Sequence, residues 1–299
     1  MATEGFKRLS RWLLPGRHDR RFWHKHALMF READVLVIAH TKSGQTWLRA
    51  MLSHLFHLRY GVPADELIHF DNLQRLEPAI PKFYVTRDTS LERHARAAGD
   101  FRIAPHQKVI FLVRDPRDTA VSFFFHVQHR ATPRELARKE IPEDARRLSI
   151  SEFVAHPDYG VPRVIRFLNR WRVEAAALQH ARILRYEDLL ARPEAELLRL
   201  ACFLELDVDA AQIAAAVRFA AFDNLQRLER EGFFRSDRLG AKDAGDANTY
   251  KVREGRVGGY RQHLTSEQVQ AIDRTVEAEL HPAFAYGGAC RESGADLAD

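Results

Sequence analysis

Cysteine is nearly absent: two in 299 residues, Cys202 and Cys290. Two thiols exclude a disulfide framework and a zinc-ligand pattern. Cys202 falls in an apolar helical run, where the expected role is a small core residue. No apolar run approaches the roughly 18 residues of a membrane span. The Trp12-Leu-Leu stretch is too short for the apolar core of a signal peptide, so the expected compartment is the cytoplasm. The Walker A pattern is also missing, because Gly240-Ala-Lys242 lacks its spacing. No acidic metal motif stands beside the candidate phosphate segments, so no metal is expected. No Lys-rich tail or aromatic-basic repeat accompanies the basic pI of 9.3, which argues against a nucleic-acid partner.

What is there reads as an ordinary globular chain, 45% hydrophobic and 29% charged. The excess of 46 Lys+Arg over 41 Asp+Glu favours anionic partners. Four apolar runs predict buried parallel strands: Val35–Ala39, Phe83–Thr86, Val109–Val113 and Arg182–Tyr186. Helical patterns separate or follow them, over Gln45–Leu58, Thr119–His129 and Pro193–Leu206. Strands alternating with helices predict an α/β fold, with helices on both faces of a parallel sheet.

Residues 1–33 form a basic, aromatic N-terminal arm, 34–286 a single domain, and 287–299 a frayed tail. In the arm, Phe6, Leu9 and Leu13 share a helical face. Two readings stay open: an amphipathic helix lying on an anionic membrane surface, and a helix packed on the domain itself. Residues 230–258 are polar and Gly-rich, which suggests a loop that orders over a ligand. Phe70-Asp-Asn-Leu-Gln-Arg-Leu-Glu77 recurs identically at 222–229. The flanks differ and no period appears, so no repeat architecture follows.

The richest segment is 35–47. The apolar run Val35–Ala39 ends in His40-Thr-Lys-Ser-Gly44, and Gln45-Thr-Trp opens a helix. A strand, a tight turn and a helix start make an anion site, because the first helical N–H groups have no internal partners. Lys42 adds a mobile cation, and Ser43, Gln45 and Thr46 add side-chain donors. Gly44 admits a phosphate close to the main chain. Trp47 has two readings, a wall for a base and a core aromatic. A second segment, Val109-Ile-Phe-Leu-Val113, runs into Arg114-Asp-Pro-Arg-Asp-Thr-Ala-Val-Ser122. Asp115 can cap the helix and Pro116 fits its first turn. Arg114 sits at a strand's end, where open α/β sheets bind ligands. Ser122 lies about 12 Å further along the helix, so one phosphate meets both only if Arg114 folds back. The ordinary alternative is a surface pair of Arg114 or Arg117 with Asp118.

Together these segments resemble the sulfotransferases that use 3′-phosphoadenosine 5′-phosphosulfate (PAPS). Thr41-Lys-Ser-Gly-Gln-Thr-Trp47 is similar to that family's 5′-phosphosulfate loop, and Val109–Ser122 to its 3′-phosphate motif. Arg185-Tyr-Glu-Asp-Leu-Leu-Ala-Arg-Pro193 resembles the segment whose tyrosine, here Tyr186, meets adenine. Phe222 resembles the family's adenine-contacting phenylalanine. Val252-Arg-Glu-Gly-Arg-Val-Gly-Gly-Tyr260 resembles the stretch that closes over the 3′-phosphate, through Arg253, Glu254 and Gly255. The resemblance covers about residues 34–265. It implies a three-layer fold like that of the P-loop NTPases, with PAPS as cosubstrate and adenosine 3′,5′-bisphosphate (PAP) as product.

The departures fall at particular residues. Gln45 replaces threonine, and its amide can still donate to an oxyanion. Glu254 replaces lysine, which leaves neutralisation to Arg253 and the main chain of Gly255. At the family's catalytic histidine, Val85-Thr-Arg-Asp88 brings Arg87, which stays protonated and cannot serve as that base. Arg87 is expected instead to hold the sulfonate or an anionic acceptor. Asp88 and His94 are the base candidates, Asp88 the better of the two. Their ordinary structural roles are a helix N-cap and a solvated helix face.

By resemblance, a hydroxyl or amine attacks the PAPS sulfur while Lys42 and the helix start stabilise the leaving phosphate. Expected acceptors are a small molecule, a saccharide or a lipid, with contact at the inner membrane face through residues 1–30. Rival readings are a non-catalytic PAP- or PAPS-binding relative and a P-loop kinase using ATP. Arg261-x-x-x-Thr265-Ser266-x-x-x-Gln270 matches the cytosolic family's dimer segment too poorly to carry over an oligomeric state.

Overall fold

A parallel four-stranded sheet lies between two helical layers. The computed structural model describes residues 17–86, 103–235 and 255–286, with residues 17–20 as backbone only. Helix α1 (Arg17–Glu32) leads into β1 (Val35–Ala39), and α2 (Gln45–Tyr60) follows the turn after it. Strands β2 (Phe83–Val85) and β3 (Lys108–Val113) come next, then α3 (Pro116–His129), α4 (Pro133–Arg138), α5 (Ile150–Ala155) and α6 (Val161–Ala176). The last strand is β4 (Ala181–Arg185), continuing into α7 (Tyr186–Ala191), α8 (Pro193–Phe203), α9 (Ala210–Phe219) and α10 (Phe222–Arg230). Helix α11 (Ser266–Glu279) lies near the C-terminus.

All three strand pairings are parallel, in the order β2-β1-β3-β4. The chain goes from β1 to one neighbour and then to the other. The crevice beyond the carboxyl ends of β1 and β3 is therefore the topological switch point, where open α/β sheets take ligands.

Strand alternation sorts the core into two layers. Val35, Val37 and Ala39 pack with Ile110, Leu112 and Leu184 against α2, α8 and α9. Leu36 and Ile38 pack with Val109, Phe111 and Val113 against α6 and α11. Every residue of β1 is buried, which explains its unbroken apolar run. Each fully buried aliphatic side chain here stabilises the fold by about 1.5–3 kcal/mol.

The four predicted strands are present, with shifted ends. The fourth covers Ala181–Arg185 and not Arg182–Tyr186, because Tyr186 opens a helix. The second stops at Val85, one residue short of Thr86. The third helix begins at Pro116, three residues before the expected Thr119, with Asp115 as its N-cap. Cys202 corrects the expectation of a core residue: it is exposed. Leu197, Leu200, Ala201 and Leu204 fill the buried face of α8 and its end, and position 202 points away.

Helix α1 packs on the domain. Trp23, Met29 and Phe30 are buried, and Gln107 Nε2 donates to the carbonyls of Phe30 and Ala33 at 2.9 and 2.7 Å. Arg21, His24, Lys25 and Arg31 face outward. Residues 1–16, with the Phe6–Leu13 face, lie outside the described residues. Among the described residues no helix is long and apolar enough to cross a membrane.

Candidate functional site

The turn after β1 is built around two left-handed residues. Lys42 has φ 77° and Gly44 has φ 97°. For a lysine this conformation costs about 1–2 kcal/mol, and such strain gathers where the chain must present its amides in a fixed direction. Ser43 N–H closes the turn on His40 O at 3.2 Å, and Gly44 O accepts from Trp47 and Leu48 as α2 begins. The first turn of α2 holds no acidic residue and no side-chain cap. The helix's positive end is thus left for an anion from outside the helix.

Gln45 is committed elsewhere. Its amide donates to Ala39 O at 3.3 Å and Thr86 O at 2.5 Å, tying the turn to the ends of β1 and β2. The side chain expected to meet an oxyanion spends both protons on main-chain carbonyls, and only its backbone N–H faces the anion end of α2.

Arg114 turns back across the crevice. Its guanidinium donates to Lys42 O at 3.3 Å and Arg256 O at 3.1 Å, and lies 4.4 Å from the centroid of Tyr186. The turn after β1, the end of β3, the start of α7 and the C-terminal segment therefore meet at one side chain. Tyr186 is buried at 6% exposure, with burial raising its pKa. Its ring covers Gly44 so closely that a Cβ there would come within 2.6 Å of Cδ2. Trp47 joins the cluster edge-on to Tyr186 at 5.5 Å, and its indole N–H donates to Ala220 O at 2.8 Å. That bond brings in the entry to α10, where Phe222 lies over Gly255. A Cβ at Gly255, whose φ is 61°, would approach Phe222 Cδ2 at 2.8 Å.

Asp118 organises the other wall. The alternative surface pair of Asp118 with Arg117 does not form. Arg117 binds Asp115 at 2.7 Å and Asp273 at 2.5 Å. The Asp118 carboxylate instead accepts Gly258 N–H at 2.7 Å and Tyr260 N–H at 3.0 Å. Burial pushes its pKa up, with nearby Arg114 and the two N–H groups pulling the other way. Ser122 is one turn on, four residues along the same face of α3. Sequence reasoning missed Asp118 as a clamp, because nothing local tells residue 118 that residues 258–260 will lie above it.

Two further residues lie on this side of the turn. Lys139, 5% exposed, donates to Thr41 Oγ1 at 2.6 Å. His126, eight residues beyond Asp118, pairs through Nε2 with Glu135 Oε1 at 3.1 Å. Arg87, Asp88, His94, Arg253 and Glu254 lie outside the described residues, as do positions 236–254 of the expected closing loop. Among the described residues no cluster of three or more His, Cys, Asp or Glu could hold a metal ion.

The residues present fit a doubly anionic nucleotide. A helix start without carboxylates, two cations and three aromatic rings converge where the strand order switches. Arg114 Nε is buried with no hydrogen-bond partner. The architecture is an open α/β fold with an anion-binding crevice at its switch point. The family model described as Sulfotransferase domain matches residues 32–283, and the chain belongs to that family. An amine sulfotransferase of Oryctolagus cuniculus is 24% identical, across 84% of this chain and 81% of its own length. Cytosolic sulfotransferase 12 of Arabidopsis thaliana is 22% identical, across 90% of this chain and 87% of its own. In fold, the chain is similar to mouse sulfotransferase SULT7A1 complexed with PAP. That match has TM-score 0.56 and 18% identity and covers 86% of each chain. A retinol dehydratase complexed with androsterone and PAP matches with TM-score 0.55 and 18% identity, covering 87% of this chain and 85% of that one. The chain is a sulfotransferase by family.

Proposed function

We propose that the crevice between β1 and β3 grips PAPS at both ends and passes its sulfonate to a hydroxyl or amine of a small-molecule acceptor. The observation that carries this reading is Arg114 joining Lys42 and Arg256 across one crevice. The main-chain amides at Ser43, Gly44, Gln45 and Thr46 and the Lys42 ammonium take the 5′ end. Lys42 meets the charge that builds on the bridging oxygen as the sulfur leaves it. The Gln45 side chain contributes as a brace, its amide held by Ala39 O and Thr86 O, and not as an oxyanion donor. Arg114, Ser122, Arg253 and the main chain at Glu254 and Gly255 take the 3′-phosphate. Trp47, Tyr186 and Phe222 wall the base. Arg87 holds the sulfonate or an anionic acceptor, and Asp88 is a proton-removal candidate.

Saccharide and lipid acceptors extend the same reading. The outward basic face of α1 supports a contact of residues 1–30 with an anionic membrane surface, in the cytoplasm at the inner face. Deleting residues 1–20 should then weaken binding to anionic liposomes, and replacing Arg21, Lys25 and Arg31 by glutamine as well should abolish it; unchanged binding in both discards that contact.

Calorimetry tests the donor. PAP should bind without Mg²⁺ and more tightly than ATP. Preference for ATP with Mg²⁺ would overturn the reading in favour of a kinase.

A further inference from the structure

The family's histidine is replaced here by Arg87, yet another imidazole stands beside Lys42. On α3, Asp118, Ser122 and His126 recur every four residues, so they share one face. Asp118 grips the C-terminal segment at the 3′ end of the site. His126 is about 12 Å further along the axis, toward the phosphate turn.

Two contacts fix it there, and Lys139 ties them to the turn. Its Nε2 meets Glu135 Oε1 at 3.1 Å. Its ring stacks on Phe123 at 6.1 Å and 16°. Lys139, one residue past the end of α4, lies 5.3 Å from the Phe123 centroid and reaches Thr41 Oγ1, next to Lys42. Glu135 and Lys139 thus clamp His126 to the turn that carries Lys42. The imidazole is 11% exposed, so it is walled yet reachable. A carboxylate on Nε2 places the proton on that nitrogen and leaves Nδ1 as the lone-pair acceptor. This is the base-and-orienter arrangement of general base catalysis.

We propose that His126, oriented by Glu135, takes the proton of the sulfonate acceptor. The proposal rests on PAPS as donor. The acceptor oxygen or nitrogen forms a bond to sulfur, and the bond from sulfur to the bridging oxygen breaks. Its electron pair stays on the 5′-phosphate of PAP, beside Lys42. The acceptor's proton goes to His126 Nδ1, and the imidazolium is stabilised by Glu135. The charged groups facing the ring are Glu135, Lys42 and Lys139. Burial and the two lysines hold the pKa down to about 4, against Glu135, so the ring is neutral and able to accept at neutral pH.

Single-turnover reactions of radiolabelled PAPS test this, with water and 2-naphthol as acceptors. His126→Gln keeps a donor for Glu135 but has no basic nitrogen. It should lose about 100-fold in turnover, with PAP affinity by calorimetry held within about twofold. His126→Ala should lose as much and recover with added imidazole, which a purely structural role would not produce. Turnover of His126→Gln within about threefold of the unmodified protein would overturn the proposal, as would an alanine variant indifferent to imidazole. Failure of the unmodified protein to bind PAP would instead overturn the donor assignment.

Discussion

The guanidinium of Arg114 donates to the main-chain carbonyl of Lys42 at 3.3 Å, although the two residues are 72 apart in sequence. The cation at the end of β3 thereby holds the strained backbone of the turn after β1. One side chain thus ties the turn after β1 to the C-terminal segment at Arg256.

Arg114→Ala should therefore weaken PAP binding by more than one lost phosphate contact. Losing a charge-assisted hydrogen bond costs about 1.5–3 kcal/mol, equivalent to roughly ten- to 150-fold in affinity. Arg114→Lys should recover only part of it, because a lysine cannot fork between the carbonyls of Lys42 and Arg256. Calorimetry with PAP on the three proteins checks the order.

Lys42 separates stability from activity. Its left-handed φ of 77° suits glycine better than lysine. Lys42→Gly should raise unfolding stability by about 1 kcal/mol while turnover falls about 100-fold or more. Lys42→Met should lose the same turnover with no gain in stability. Denaturant unfolding alongside PAPS turnover reads both quantities.

At Gly255, space decides. A methyl group there would sit 2.8 Å from Phe222 Cδ2, and φ is 61°. Gly255→Ala should push the Phe222 ring aside and weaken PAP binding about tenfold. Adding Phe222→Leu should relieve the clash but not the backbone strain, so the double variant should recover only partly. Full recovery would mean that the ring alone set the cost.

The sheet was legible because β1 and β3 are buried on both faces and read as unbroken apolar runs. The turn after β1 was legible because a strand, Gly44 and a helix start are contiguous in sequence. What escaped was tertiary. Asp118 finds its partners 140 and 142 residues away. Gln45 looked like an anion donor until Thr86 came within reach of its amide. The octapeptide at 70–77 and 222–229 makes the same point. The second copy is helical from Phe222. The first is a run of turns, because Phe70 takes φ 52° and its carbonyl is bound by Phe83 N–H at 3.0 Å. Identical local preferences yield to different neighbours.

His126 gives the fold an acid dependence that can be measured without an acceptor. Burial first, then the charges of Lys42 and Lys139, lower its pKa from 6.5 to about 4, even with Glu135 raising it. An unfolded chain takes up that proton at higher pH than the folded one. The stability contributed by neutral His126 is therefore fully present above pH 6.5, and it is lost as pH falls from there toward 4. The difference corresponds to about 3 kcal/mol of unfolding free energy across that window. His126→Gln removes the titrating group and keeps a donor for Glu135, so its stability should fall less steeply from pH 7 to pH 4.5. Urea midpoints of both proteins at half-unit pH steps test this, and parallel curves would show that His126 is not the group responsible.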